Sequence, residues 1–180
     1  MYAMDGEVSA ILVRASAQSR PLSGSKSQVI SHGITMTSVH LDLTFTAFYR
    51  HAPEAVWAAL TDCEALQTWF LENDFKAHVG QAFSVKGPHI GVVACTVVAL
   101  DPPRRMEWSW QPPDLPMTTR VIFTLAEVQG GTRLTVEHVG SSPTAHQADI
   151  TRGWPSRLRH LGRWLDGRAC ASGTSIEVGE

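Results

Sequence analysis

Over residues 39–47 every second residue is apolar: Val39, Leu41, Leu43, Phe45 and Ala47 alternate with His40, Asp42, Thr44 and Thr46. Successive side chains of an extended chain point to opposite faces, so this spacing predicts a strand with one face buried and one face wet. Such a strand needs neighbours and a covering layer, and the rest of the sequence supplies both. Runs with strand texture follow at residues 81–86, 91–100, 105–111, 118–128 and 132–139. Gly87-Pro88, Asp101-Pro102-Pro103, Pro112-Pro113-Asp114 and Gly130-Gly131 punctuate them. Links this short join antiparallel neighbours, so the runs read as a meander.

The covering layer is helical. Pro53 suits a first helical turn, where its missing N–H costs nothing, and Val56, Trp57 and Leu60 recur at helical spacing. Thr61-Asp62-Cys63-Glu64 reads as a capping box opening a second short helix that carries Leu66, Trp69 and Phe70 inward. Near the C-terminus Trp154, Leu158, Leu161 and Leu165 form one apolar stripe. Pro155 is tolerated in a first turn, so the regular helix is expected to start near Trp154, after a looser segment from about Ala145, and to stop at Gly167. Trp57 and Trp154 are both expected to be structural.

The predicted fold class is therefore α+β: a curved antiparallel sheet wrapped around a long C-terminal helix, with two short helices after strand one. The domain spans residues 38–168. Residues 1–37 lack sustained periodicity beyond an apolar patch at residues 10–13, and read as a disordered extension or a mis-assigned start, since Met36 directly precedes the first ordered pattern. Residues 169–180 read as a disordered tail.

Composition narrows the function. A net charge of −2 and the lack of a strongly basic window leave no electrostatic footprint for nucleic acid or an anionic membrane surface. The longest apolar stretch, residues 91–100, is too short for a membrane-spanning helix. Three widely spaced cysteines, Cys63, Cys95 and Cys170, fit a reducing cytoplasm. Nucleophile elbows, P-loops and dinucleotide fingerprints are absent, and the eight histidines fall at no ligand-pair spacing. No metal, cofactor or catalytic residue is assigned. The carboxylates Asp42, Glu54, Asp62, Glu64 and Glu72 read as solvated, as do Arg152, Arg157, Arg159 and Arg163, whose stems can cover the helix's apolar stripe.

Strand parity and helix period bring one set of side chains face to face. Met106, Trp108, Trp110, Phe123, Leu134, Val136 and His138 on the sheet look toward Trp154, Leu158, Leu161 and Leu165 on the helix. A concave sheet closed by one helix rarely fills completely, so these residues are expected to line a cavity, with His138 as its polar handle. A packed interior with an ordinary, hydrogen-bonded His138 is the simpler alternative.

The order of elements is that of the START-like helix-grip fold. Ala52-Pro53-Glu54-Ala55-Val56-Trp57-Ala58-Ala59-Leu60-Thr61-Asp62 resembles the opening motif of the family named for the activator of heat-shock protein 90 ATPase. Trp69-Phe70, Val79-Gly80-Gln81-Ala82-Phe83, Asp101-Pro102-Pro103-Arg104-Arg105-Met106 with Trp108 and Trp110, Gly131-Thr132-Arg133-Leu134-Thr135-Val136, and Gly153-Trp154 resemble its later blocks. The resemblance departs at Cys63, where the family typically has proline, and at residues 86–90, a loop shorter than in many members and able to narrow one mouth of the cavity. It implies a binder of a small apolar or aromatic molecule, as monomer or homodimer. Its alternatives are a polyketide cyclase or hydratase type of enzyme, with His138 and Asp42 as the visible candidates, and a co-chaperone or stress-response protein that contacts a chaperone through its surface.

Overall fold

A computed structural model of the chain describes residues 12–15, 38–113, 115 and 117–172. In chain order the elements are β1 (Leu12–Ala15), β2 (Ser38–Tyr49), α1 (Pro53–Thr61), α2 (Cys63–Trp69), β3 (Glu72–Asn73), β4 (Ala82–Gly87), β5 (Gly91–Asp101), β6 (Arg105–Gln111), β7 (Thr119–Val128), β8 (Gly131–Pro143) and α3 (Thr144–Ser172). The strands form one antiparallel sheet of eight in the order β1-β2-β8-β7-β6-β5-β4-β3. The short links between β4 and β8 make the predicted meander, and β8 crosses back to lie beside β2.

The alternation in β2 sets its register. Leu41, Leu43, Phe45, Ala47 and Tyr49 are buried, whereas Asp42, Thr44, Thr46 and Phe48 between them are partly exposed. Pairing brings Leu43 opposite His138, Phe45 opposite Val136 and Ala47 opposite Leu134, so two apolar faces meet the same helix. At the tight turn into β8, a Cβ on Gly131 would land on the Tyr49 carbonyl oxygen, backbone that cannot step aside, so this position requires glycine.

Helices α1 and α2 pack as expected, with Val56, Leu60, Leu66, Trp69 and Phe70 buried and the Trp69 indole N–H donating to the Ala59 carbonyl at 2.8 Å. The cap differs from the expected box. Asp62, not Thr61, caps α2, its Oδ1 accepting from the Ala65 N–H at 2.8 Å, while the Thr61 hydroxyl donates back to the Trp57 carbonyl. A carboxylate one residue nearer the helix reaches the same orphan N–H groups and adds charge at the positive end of the dipole. Trp57 is only partly buried at the edge of the core.

Two boundaries need correction. Helix α3 neither begins near Trp154 nor stops at Gly167; it runs from Thr144 to Ser172 through Pro155. Proline removes one hydrogen bond, but Trp154, Leu158, Leu161 and Leu165 are all buried, and this packing holds the helix across the gap. The buried Tyr49 hydroxyl fastens it further by donating to the Leu158 carbonyl at 2.9 Å. The second correction concerns the N-terminal extension. Leu12–Ala15 pairs with β2 from Leu12 opposite Thr46 to Ala15 opposite Leu43, because the β2 edge away from β8 offers free backbone groups. The remainder of residues 1–37, Met36 included, and residues 173–180 lie outside the described residues.

Candidate functional site

Where the sheet faces the second half of α3, the inward side chains form a packed core. Met106, Trp108, Phe123, Leu134, Val136, Leu158, Leu161 and Leu165 belong to one continuous buried core. Trp108 packs at 4.7 Å from Phe123, 5.2 Å from Phe83 and 5.3 Å from Phe75, measured between ring centroids. Its indole N–H has no hydrogen-bond partner, so packing alone holds the ring. These residues, expected to line a cavity, do not line the one described below. Large aromatic side chains from β4, β6, β7 and the segment before β4 fill the curvature of the sheet there, and parity alone does not reveal how much volume faces an inward position.

The space lies at the other end of the helix. A cavity of about 310 Å³, partly open to solvent, is bounded by Phe70 and Leu71 after α2, by His89, Ile90 and Gly91 at the β4–β5 turn, and by Trp110, Pro112, Pro113, Leu115 and Met117 along β6 and the loop after it. Thr119 of β7 and His138, Ser141 and Ser142 of β8 form another wall. Helix α3 contributes His146, Asp149, Ile150, Gly153, Trp154 and Arg157, spaced alternately three and one apart, which is one helical face. Of the expected lining residues the structure brings Trp110, His138 and Trp154 to this cavity. The short loop at residues 86–90 does stand at its rim, through His89 and Ile90. Asp42 lies on the opposite parity of β2, facing away from the core, and is not among the lining residues.

Three rings make the aromatic wall. Phe70 stacks on Trp154, with centroids 5.5 Å apart and planes 18° from parallel, and meets the edge of Trp110 at 6.3 Å. Gly153 adjoins them, and a Cβ there would meet nothing within 4 Å, so the helix presents open space to the cavity at that point.

His138 sits behind this wall, 1% exposed, in a hydrogen-bond chain whose direction can be derived. The Trp154 indole nitrogen only donates, and it lies 3.2 Å from His138 Nδ1, so Nδ1 carries no proton. The proton of the neutral ring is therefore on Nε2 and is donated to Thr119 Oγ1 at 2.8 Å. Thr119 in turn donates to the Trp110 carbonyl at 3.3 Å. Both ring nitrogens are thus engaged by side chains, and burial pushes the imidazole pKa down to about 3. The hydrogen-bonded His138 expected in a packed interior thus has the side chains of Trp154 and Thr119 as its partners.

Sequence reasoning missed the rim: His89, Ser141, His146, Asp149, Ile150 and Arg157. The signal is present, because His146, Ile150, Gly153 and Arg157 extend the helical period of Trp154, but Pro155 points to a regular helix that starts near Trp154 and hides the part of this face before it. Among the described residues, no group of three or more His, Cys, Asp or Glu is placed to hold a metal ion. No helix among them is long and apolar enough to cross a membrane.

Known structures share this architecture. Protein MLL2253 from Mesorhizobium loti is 30% identical, with 70% of this chain and 97% of that one covered at a TM-score of 0.65. Protein BH1534 from Bacillus halodurans is 26% identical, with 70% and 98% covered at a TM-score of 0.60. CalU16 from Micromonospora echinospora, 23% identical with 74% and 89% covered at a TM-score of 0.61, shares the fold. No curated protein matches the chain. Residues 50–166, from the turn before α1 to the last turns of α3, match the profile of the activator of Hsp90 ATPase homolog 1-like proteins, and the chain belongs to that family, with its START-like fold.

Proposed function

We propose that this protein binds a small apolar or aromatic molecule in the cavity beside α3 and holds it without converting it. The observation that carries the reading is the aromatic wall of Phe70, Trp110 and Trp154 facing about 310 Å³ of space, a size at the lower end of small-molecule sites. Ring stacking and apolar burial would supply the affinity. The hydrogen-bond chain argues against an enzyme that uses Thr119 and His138 as nucleophile and base. With Nδ1 committed to the Trp154 N–H, Nε2 is a donor and has no lone pair with which to take the threonine proton. The buried Cys95 thiol, pushed up to about 12, is held neutral, and a reducing cytoplasm suits it and the free Cys63.

Gly153 provides the test. Naphthalene-2-carboxamide should bind the wild-type protein and quench its tryptophan emission. Gly153→Phe, which projects a ring into the open space, is expected to weaken binding by about tenfold or more without loss of fold. Gly153→Ala should leave binding intact and raise stability by about 1 kcal/mol, the helix-propensity difference. Equal affinity in wild type and Gly153→Phe would place the ligand elsewhere and end this reading.

A further inference from the structure

We infer that the molecule taken by this cavity carries a small anionic group, of carboxylate type, that seats on Arg157 while its apolar body lies against Phe70, Trp110 and Trp154. This deepens the binding reading and rests on it.

Arg157 closes the α3 face that lines the cavity, one turn beyond Gly153 and adjacent to Leu158 in the core. It is only partly exposed, and burial holds its guanidinium below the usual arginine range. The guanidinium nevertheless stays charged, and a charge taken partly out of water needs a partner.

None is provided by the described residues. Arg104 pairs with Asp101, Arg105 and Arg120 with Glu107, and Arg152 with Asp149, whereas no carboxylate among the described residues lies within ion-pair distance of Arg157. Asp149, the carboxylate in the lining, is engaged by Arg152 at 2.7 Å and stands two turns away, about 12 Å along the helix axis. The neighbouring charges add to the positive field. His160 is held below its usual range by burial and then by Arg157, Arg163 and Arg159.

A cavity with an aromatic wall and a guanidinium at its rim that no described carboxylate compensates is complementary to an amphipathic anion. The planar fork can take two oxygens of a carboxylate at once, a geometry that a neutral amide cannot match in charge. His89, His146 and Ser141 lie in the same lining and can add hydrogen bonds.

Two isosteric probes separate this claim from the one beneath it: naphthalene-2-carboxylate and naphthalene-2-carboxamide, titrated against the full chain by tryptophan quenching. The carboxylate is expected to bind wild type about tenfold more tightly than the carboxamide. Arg157→Gln should bring the two affinities together by weakening the carboxylate alone, and the unchanged carboxamide affinity then certifies that the variant is folded. Raising the ionic strength should narrow the gap in wild type. Equal affinities in wild type, or a gap that survives Arg157→Gln, would overturn the assignment of the anion to Arg157 and leave the cavity reading standing. If neither probe binds wild type, both fall.

Discussion

Trp154→Ala is expected to destabilise the protein by about 3–5 kcal/mol, enough to unfold a marginal domain near room temperature. Trp154 is 5% exposed and joins α3 to four other parts of the fold. It stacks on Phe70 after α2, meets Phe123 of β7 at 5.7 Å and Phe45 of β2 at 6.4 Å, and donates to His138 of β8. Alanine removes the packing and the hydrogen bond together. Trp154→Phe separates them, keeping most of the ring while leaving the buried Nδ1 of His138 without its donor, at an expected cost of about 1–3 kcal/mol. Urea unfolding near neutral pH measures both. Trp57, only partly buried on α1, should be the cheaper tryptophan to lose. Comparable losses at the two positions would mean that Trp154 does not hold the junction.

The second large effect is on pH dependence. His138 has its pKa pushed down from the usual 6.5 to about 3 by burial, so between these values the unfolded chain carries a proton that the folded protein excludes. Protons then favour unfolding. Its contribution is fully present above pH 6.5 and is lost as pH falls toward 3, at about 1.4 kcal/mol per pH unit. Protonation also has a structural consequence, because an imidazolium at Nδ1 would turn a donor against the Trp154 N–H. Denaturant unfolding between pH 4.5 and 7.5 should show this slope in wild type and a clearly shallower one in His138→Gln, whatever that variant loses at neutral pH. Parallel slopes would show that another group controls acid sensitivity.

The sheet was legible because its signals are local and periodic. Alternation over β2, the turn residues between β4 and β8, and Pro53 at the start of α1 each specify geometry within a few residues. Strand β1 was not legible, since four residues carry too little pattern to announce a strand, and pairing with β2 depends on an edge formed elsewhere. The candidate site was legible in part. Trp110, His138 and Trp154 face it as their parity and period require, whereas Met106, Trp108, Phe123 and Leu158, placed by the same reasoning, sit in the core and do not line this cavity. Facing inward is a property of the local chain, whereas empty volume is a property of every side chain around it. The loop residues Pro113, Leu115 and Met117 carried no period at all and reach the rim only through the fold.

The indole N–H resonances offer the most direct view of the site. All six tryptophans, Trp57, Trp69, Trp108, Trp110, Trp154 and Trp164, report separately in a nitrogen–proton correlation spectrum, and single Trp→Phe variants assign them. Titration with naphthalene-2-carboxylate should shift the Trp110 and Trp154 signals, which belong to the cavity wall, and leave that of Trp108, sealed in the core, in place. Shifts confined to Trp57 or Trp164, which are partly buried at the edge of the core and do not line the cavity, or spread evenly over all six, would contradict a ligand bound between α3 and the sheet.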